Sequence, residues 1–186
     1  MKRLFDLALA LVAGMLLIFP ALILGLVVRL TSEGPVLYWS DRVGRNNMRF
    51  RMPKFRSMKI NTPAVATHLL DRPDKFLTTI GGFIRKTSLD ELPQLWSIIR
   101  GHMSFVGPRP ALFNQEDLIT LRTQRGVHIL TPGLTGWAQV NGRDELPVLK
   151  KVELDIEYLR RQSLWFDVRI LWMTVAKVLR RDGVAH

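Results

Sequence analysis

The chain contains no cysteine and few acidic residues. Without cysteine it cannot form a disulfide framework, a thiolate zinc site or a thiol nucleophile, which is typical of a protein from a reducing compartment. The 16 acidic residues are outnumbered by 27 lysines and arginines, so the formal net charge is +11. This excess of positive charge favours a polyanionic partner, which can be nucleic acid, anionic lipid or a phosphorylated substrate.

The sequence also lacks internal repeats, low-complexity tracts, and the glycine order of a P-loop or a dinucleotide fingerprint. Hydrophobic residues make up 47% of the 186 residues. That content is enough for a packed core and excludes a disordered tail or a collagen-like chain. The length fits one globular domain of ordinary size.

One uncharged apolar run extends from Leu7 to Val28. It is long enough to match the hydrocarbon core of a bilayer as a helix. A secretory signal peptide is disfavoured, because the run is too long for a signal core and no small-x-small cleavage site precedes Arg29. A buried soluble helix is disfavoured as well, because a helix that is apolar on all sides needs a large protein around it.

Pro20 lies inside this apolar run. Proline has no backbone N–H, and its ring collides with the carbonyl of Leu16, which predicts a kink or a break. Basic residues flank both ends of the run, so the positive-inside rule selects no orientation. We therefore expect residues 1–30 to form a re-entrant membrane hairpin with both ends on the cytoplasmic face, and a kinked spanning helix remains the alternative.

The remainder, residues 31–186, is predicted to be a small cytosolic catalytic domain of α/β (α+β) class that associates with the membrane. Apolar β-prone residues at 36–39 and 50–55 are separated by turn residues at 44–47, which predicts a β-hairpin. Helical periodicity is present at 77–85, 91–99 and 116–124.

Near the C-terminus, a further helical pattern has one apolar face, which contains Trp165, Val168, Trp172 and Val175. As a core-packing helix it would bury this face. As an interfacial helix it would place the tryptophans at headgroup depth and its cations at anionic lipid. The pattern leaves both interpretations open.

An acidic pair, Asp90 and Glu91, lies among several cations in the segment RKTSLDELPQL. A purely structural interpretation is helix capping, either by a capping box from Ser88 to Glu91 or by Asp90 as an N-cap. Pro93 favours a helix that starts at Asp90, since proline is tolerated in a first turn. A chemical interpretation is that a carboxylate holds Mg²⁺ beside phosphate oxygens, or attacks phosphorus to form an acyl phosphate.

Four cations are candidate phosphate ligands, namely Lys54, Arg56, Arg85 and Arg109. Lys54 and Arg56 share one face of a predicted strand. Arg109 lies between the prolines of GPRP, which limits the backbone entropy lost when the guanidinium binds an anion. Such cations can add charge to the protein surface and do nothing more, but beside an acidic pair they would stabilise charge that develops on a phosphoryl group.

Taken in order, the motifs SEGPVLY, DRVGR, KFRSM, RKTSLDELPQL, GHMSFVGPRP and PGLTGWAQVNGR closely resemble those of the bacterial sugar transferase family, the monotopic phosphoglycosyl transferases. The resemblance covers nearly the whole chain and is closest to the minimal catalytic form. It implies a Mg²⁺-dependent transfer of a phosphosugar from a UDP-sugar to undecaprenyl phosphate, with UMP as the second product. It also implies a proline-broken re-entrant helix in the bacterial inner membrane and a catalytic domain on the cytoplasmic face.

By this match, Asp90 resembles the family nucleophile, which also contacts Mg²⁺, and Glu91 resembles its partner carboxylate. The implied mechanism is ping-pong: Asp90 attacks the β-phosphorus, UMP leaves, and the lipid phosphate attacks the phosphosugar-enzyme. An N-acetylated amino sugar is the expected donor sugar. The glycine-rich segment resembles part of a nucleotide pocket, with candidate residues Gly133, Thr135, Gly136, Trp137, Gln139 and Arg143.

Two other classes of function remain open from the sequence. A nucleic-acid-binding protein would account for the charge but not for the apolar run. A membrane scaffold without enzymatic activity would account for both, but it would give no reason for Asp90 and Glu91 among so many cations. We therefore expect lipid and a nucleotide sugar as partners, and no nucleic acid.

Overall fold

The structure is a computed structural model that describes residues 1–63, 72–142 and 146–180. Helices and strands are mixed along the chain, in agreement with the predicted class. In order they are α1 (Lys2–Thr31), β1 (Leu37–Val43), β2 (Arg49–Phe55), α2 (Gly81–Lys86), α3 (Gln94–Ile99), β3 (Ser104–Val106), β4 (Ala111–Leu112), α4 (Glu116–Gln124), β5 (Gly133–Thr135), α5 (Trp137–Val140), α6 (Val148–Arg161) and α7 (Leu164–Arg180).

Helix α1 is long and apolar enough to cross a membrane, and in the described part of the chain it alone meets that criterion. Most of its large apolar side chains between positions 11 and 26 are exposed. Pro20 lies inside α1, so the predicted break is not confirmed. A proline removes one backbone hydrogen bond, here to the carbonyl of Leu16, and a long helix can continue through that single loss.

The N-terminal end of α1 is fixed to the rest of the protein by two acidic side chains. The buried carboxylate of Asp6 accepts hydrogen bonds from Ser104 Oγ and the Phe105 amide, both at 3.0 Å. Lys2 donates to Asp167, which is 1% exposed. These contacts join α1 to β3 and α7.

The C-terminal end of α1 packs on the same domain. Val28 is fully buried against Phe55 and Ile84. Arg56 donates to the carbonyl of Ser32, just after the helix, at 2.9 Å. Both ends of α1 therefore contact one domain, while the middle of the helix remains exposed.

The predicted hairpin is confirmed. Strands β1 and β2 pair antiparallel, with Leu37 opposite Phe55 and Val43 opposite Arg49, and a 3₁₀ turn at Arg45–Asn47 joins them. Strand β4 pairs with the other edge of β1, so the sheet order is β2-β1-β4. A separate parallel pair is formed by β3 and β5.

The helices agree with the predicted periodicity to different degrees. Helix α4 has the predicted bounds, whereas α2 and α3 begin later than predicted. The chain forms a 3₁₀ turn at Leu89–Glu91, and Pro93 then immediately precedes α3. Both capping interpretations of the acidic pair are wrong, because Ser88 makes no side-chain capping bond and the N-cap position of α3 is Pro93 rather than Asp90. The carboxylates of Asp90 and Glu91 instead contact cationic side chains, which are described below.

Helix α7 contacts the core through Phe166 and Ile170. The core-packing interpretation of its predicted apolar face is therefore wrong, because a different face of the helix is buried. The predicted face is exposed, at Trp165 (81%), Val168, Trp172 (75%) and Val175.

Asp6→Ala should destabilise the protein, because it leaves the buried Phe105 amide and Ser104 hydroxyl without their acceptor. We expect a loss of about 2 kcal/mol in the free energy of unfolding, seen as a lower Tm in detergent. Asp6→Asn, which keeps an oxygen acceptor, should lose less. Asp117→Ala on exposed α4 is the matched control, and an equal loss there would contradict this role of Asp6.

Candidate active site

The acidic pair is located on a short turn that packs against α1. Leu89 and Leu92, on either side of Asp90 and Glu91, belong to the apolar cluster that contains Val28. Asp90 itself is 8% exposed. The carboxylates are thus held beside the C-terminal part of α1, because the leucines that flank them pack there.

Two cations from distant parts of the chain meet this pair. Lys54, near the end of β2, places its Nζ 2.9 Å from Glu91 Oε1 and 3.4 Å from Asp90 Oδ2. Arg109, in the GPRP segment, places its Nη2 3.0 Å from the same Glu91 oxygen. The structure therefore brings together four of the residues predicted from the sequence, with Glu91 at their centre.

The two carboxyls have different electrostatic environments. Burial raises the pKa of Asp90 above its ordinary value of 3.8, Lys54 opposes this, and the negative charge of Glu91 adds to it. Burial also acts to raise the pKa of Glu91, but Lys54 and Arg109 outweigh it and hold that pKa far below its usual range. Glu91 is therefore the permanent counter-charge, and Asp90 is the more basic carboxylate.

The other two predicted phosphate ligands differ in position. Arg85, in α2, is close enough to Asp90 for its charge to lower the pKa of that carboxyl. Arg56 is directed to the end of α1, where its guanidinium donates to the Glu33 and Ser32 carbonyls and to the Ser32 hydroxyl. These contacts give Arg56 a structural role that the shared strand face did not predict, and they place it apart from the carboxylates.

Arg109 is positioned through its backbone. Its carbonyl accepts a hydrogen bond from Arg122 Nη1 at 2.8 Å, and Arg122 is paired with the buried carboxylate of Asp155 at 2.7 Å. Nearby, the Gly107 amide donates to the Thr135 carbonyl at 2.9 Å. The loop that carries Arg109 is thus held between α4 and β5.

The glycine-rich segment has a packing role in the structure. A Cβ at Gly136 would lie 2.1 Å from the Gly107 carbonyl oxygen, and one at Gly133 would lie 2.1 Å from the Gly107 amide nitrogen. Only glycine permits backbones to approach so closely. These glycines fix the GPRP segment, and their predicted contacts with nucleotide stay predictions.

Side chains of the same segment also bond within the protein. The ring centroid of Trp137 lies 5.1 Å from that of Phe166, and its Nε1 donates to Glu157. Thr135 contacts the Thr174 hydroxyl, and Gln139 donates to a backbone carbonyl. Their nucleotide contacts likewise stay predictions. The sixth predicted member, Arg143, lies outside the described residues.

Tyr38 is a neighbour of Lys54 that the sequence reasoning did not identify. In the β1–β2 register it is directly opposite Lys54, and it is 47% exposed. Side chains directly opposite each other in an antiparallel pair lie on the same face of the sheet. Tyr38 lies in the hairpin that the sequence predicted. Its position opposite Lys54 could be recognised only from the pairing register of the two strands.

The donor set is suited to Mg²⁺. Among the described residues, the hydrogen bonds of Asp90 use only its Oδ2 atom, and no group of three or more metal-ligating side chains occurs in that part of the chain. Mg²⁺ commonly binds one or two carboxylates and completes its shell with water and substrate phosphate. Asp90 is the carboxylate here that would hold such an ion.

The chain is similar to proteins of one enzyme family. The family model described as bacterial sugar transferase matches residues 1–181. A UDP-glucose:undecaprenyl-phosphate glucose-1-phosphate transferase from Escherichia coli (strain K12) is 40% identical over 185 residues, covering 95% of this chain and 40% of that protein. The protein of the same name from Xanthomonas campestris pv. campestris is 43% identical over 188 residues, covering 96% of this chain and 38% of that protein.

A shorter relative matches nearly end to end. The uncharacterized sugar transferase EpsL from Bacillus subtilis (strain 168) is 40% identical over 189 residues, covering 99% of this chain and 90% of that protein. The chain thus spans about two fifths of the length of the two glucose-1-phosphate transferases and most of the length of EpsL.

Glu91→Gln should lower the pKa of Asp90. The substitution removes the negative charge that raises this pKa, and it frees Lys54 and Arg109 to interact with Asp90 instead. In the wild type, Asp90 should take up its proton above pH 3.8, its ordinary pKa. In Glu91→Gln, protonation should require a lower pH.

The carboxyl stretch in difference infrared spectra measures this titration. Each spectrum is compared with that of the same protein without the Asp90 carboxyl group. Asp90→Asn is the reference for the wild type, and Asp90→Asn/Glu91→Gln is the reference for Glu91→Gln. A pKa of Asp90 that stays constant or rises in Glu91→Gln would contradict the assigned electrostatics.

Proposed function

The chain belongs to the bacterial sugar transferase family, and from this premise we propose that it transfers a phosphosugar from a UDP-sugar to undecaprenyl phosphate. The products are undecaprenyl-diphospho-sugar and UMP. The printed names of relatives at about 40% identity describe glucose-1-phosphate transfer to the same lipid, which supports this acceptor and a nucleotide-sugar donor.

One observation carries the proposal: a buried carboxylate of raised pKa is held beside the long apolar helix α1 and next to a cluster of cations. Asp90 is that carboxylate. Its neighbour Glu91 takes the shorter contacts to Lys54 and Arg109. Asp90 therefore keeps more of its basicity, and a basic carboxylate in a dry site is suited to attack phosphorus.

The proposed reaction has two balanced steps. In the first, an oxygen of Asp90 forms a bond to the β-phosphorus, and the bond from that phosphorus to the bridging oxygen breaks, so that UMP leaves with the electron pair. In the second, an oxygen of the lipid phosphate attacks the same phosphorus, and the bond to Asp90 breaks. The carboxylate is regenerated, and one phosphoanhydride has replaced another.

The cations act on the diphosphate. Lys54 and Arg109 both contact Glu91 Oε1 in the structure, so one carboxylate orients two phosphate ligands. Arg85 adds positive charge on the α2 side of Asp90. Preoriented cations in a site of low dielectric stabilise the charge that builds on phosphoryl oxygens without reorganising during the reaction.

Mg²⁺ is the proposed cofactor. When bound by Asp90 and the donor diphosphate, it supplies positive charge that neutralises the phosphoryl oxygens.

The course of α1 in the membrane is proposed to be re-entrant. A helix that spans a bilayer has its ends on opposite sides, yet both ends of α1 pack on the same small domain, at Asp6 and at Val28. For the exposed middle of α1 to enter the membrane and return, the helix, which is continuous across Pro20 in the structure, has to bend in the bilayer, and Pro20 is the point where a bend costs least. This supports a monotopic protein in the inner membrane.

The exposed tryptophans of α7 support the same placement. Trp165 and Trp172 suit the depth of the lipid headgroups, where an aromatic ring is partly apolar and partly hydrated. The active site then lies at the level of the headgroups on the cytoplasmic side, where a lipid phosphate and a soluble nucleotide can both arrive.

A labelling experiment tests the covalent step. Detergent-solubilised protein is mixed with Mg²⁺ and UDP-sugars labelled at the β-phosphate, including UDP-glucose, UDP-galactose and N-acetylated amino sugars, without lipid acceptor. We expect acid-stable label on the protein and one equivalent of UMP for one donor. Asp90→Asn should abolish both, because an amide is a far weaker nucleophile.

Other results of this labelling experiment would indicate different functions. Turnover that appears only after undecaprenyl phosphate is added, without labelled protein, would indicate direct transfer and overturn the covalent step. No turnover in either format would favour the membrane scaffold. Glu116→Gln, on exposed α4, is the control for unspecific loss of activity.

Accessibility from each side of the membrane tests the re-entrant course. Single cysteines at Leu4 and Leu30, both exposed at opposite ends of α1, should react with a membrane-impermeant maleimide only from the cytoplasmic side. The native chain has no cysteine to interfere. Labelling of one position from each side would establish a spanning helix.

A further inference from the structure

Tyr38 has no role in the chemistry described above. Its cross-strand partner is Lys54, which contacts both site carboxylates. Cβ atoms of directly opposed residues are about 5 Å apart. A half-exposed phenol ring therefore stands beside the cation that binds phosphate, on the same face of the sheet.

The direction of β1 shows which side of the site Tyr38 occupies. Val36, two residues before it, packs with the C-terminal part of α1, where a Cβ at Gly25 would lie 3.5 Å from its side chain. Arg42, four residues after Tyr38 on the same face, donates to the carbonyl of Pro110, next to Arg109. Along β1 the order is membrane helix, Tyr38, then the Arg109 loop.

This order separates the two substrates. In the proposed reaction Lys54 and Arg109 bind the donor diphosphate, which leaves the Arg109 side to the soluble nucleotide. An acceptor that enters along α1 approaches the same phosphate site from the side of Tyr38. An aromatic ring with a polar tip is suited to that boundary, because it contacts an isoprenoid chain with its face and remains hydrated at its hydroxyl.

We propose that Tyr38 contacts the polyprenyl phosphate acceptor at the membrane side of the site and determines acceptor affinity. The inference rests on the proposed function and adds a residue to its second step. Tyr38 should have no part in the first step, in which the donor reacts with Asp90.

The two half-reactions are measured separately in Tyr38→Ala. The rate of UMP release without acceptor should stay within twofold of the wild type. The apparent KM for polyprenyl phosphate should rise about tenfold, which corresponds to the loss of one aromatic contact. Tyr38→Phe should behave like the wild type, because it keeps the ring.

Trp39→Ala is the matched control. Trp39 is the next residue of β1, and its exposure of 40% is close to that of Tyr38. It lies on the opposite face, where its ring contacts the guanidinium of Arg51. Loss of this aromatic ring should leave both half-reactions unchanged.

A short-chain prenyl phosphate in detergent micelles removes the bilayer surface from the measurement. The KM effect of Tyr38→Ala should persist there, since the ring contacts the acceptor itself. An effect confined to bilayers would mean that Tyr38 docks the protein on lipid, and it would overturn the inference.

Three further results would overturn it: an unchanged acceptor KM in Tyr38→Ala, UMP release slowed as much as transfer, or an equal KM effect in Trp39→Ala. Each of these requires a wild-type enzyme that releases UMP. A wild type that releases none would instead overturn the proposed function, and the inference would fall with it.

Discussion

Glu91 is the point at which three distant parts of the chain meet. Its carboxylate receives Lys54 from β2 and Arg109 from the GPRP loop, and it belongs to the turn that also carries Asp90. A buried carboxylate is costly unless cations compensate it, and buried cations need the same compensation. The three charges are therefore mutually dependent. Their pairing leaves Asp90 with the longer contact to Lys54, so Asp90 keeps more of its basicity.

The rest of the structure holds this ion cluster in place from two directions. On one side, Leu89 and Leu92 fix the acidic turn to α1, so this helix is part of the wall of the site. On the other side, close backbone contacts between Gly107 and the glycine-rich segment fix the loop of Arg109. Loosening either support would move one charge relative to the others, and electrostatic stabilisation falls steeply with misplacement.

The direction of β1 gives the site two distinct sides. Its first residues touch α1, and its last residues touch the Arg109 loop, with Lys54 opposite the middle. In the proposed reaction, the lipid phosphate and the soluble nucleotide would use these cations in turn, each from its own side. The short hairpin thereby relates the position of α1 to the position of the carboxylates.

The sequence by itself determined the features that depend on near neighbours: the apolar α1, the β1–β2 hairpin, helix α4, and an acidic pair surrounded by cations. Alternation, turn residues and charge are local signals, so they can be recognised without the fold. Only the tertiary structure decided that Lys54 faces the carboxylates while Arg56, two residues later, binds the end of α1. It also decided that Tyr38 stands opposite Lys54 and that both ends of α1 pack on one domain. These outcomes depend on which distant backbones come together, and residue spacing carries no information about that.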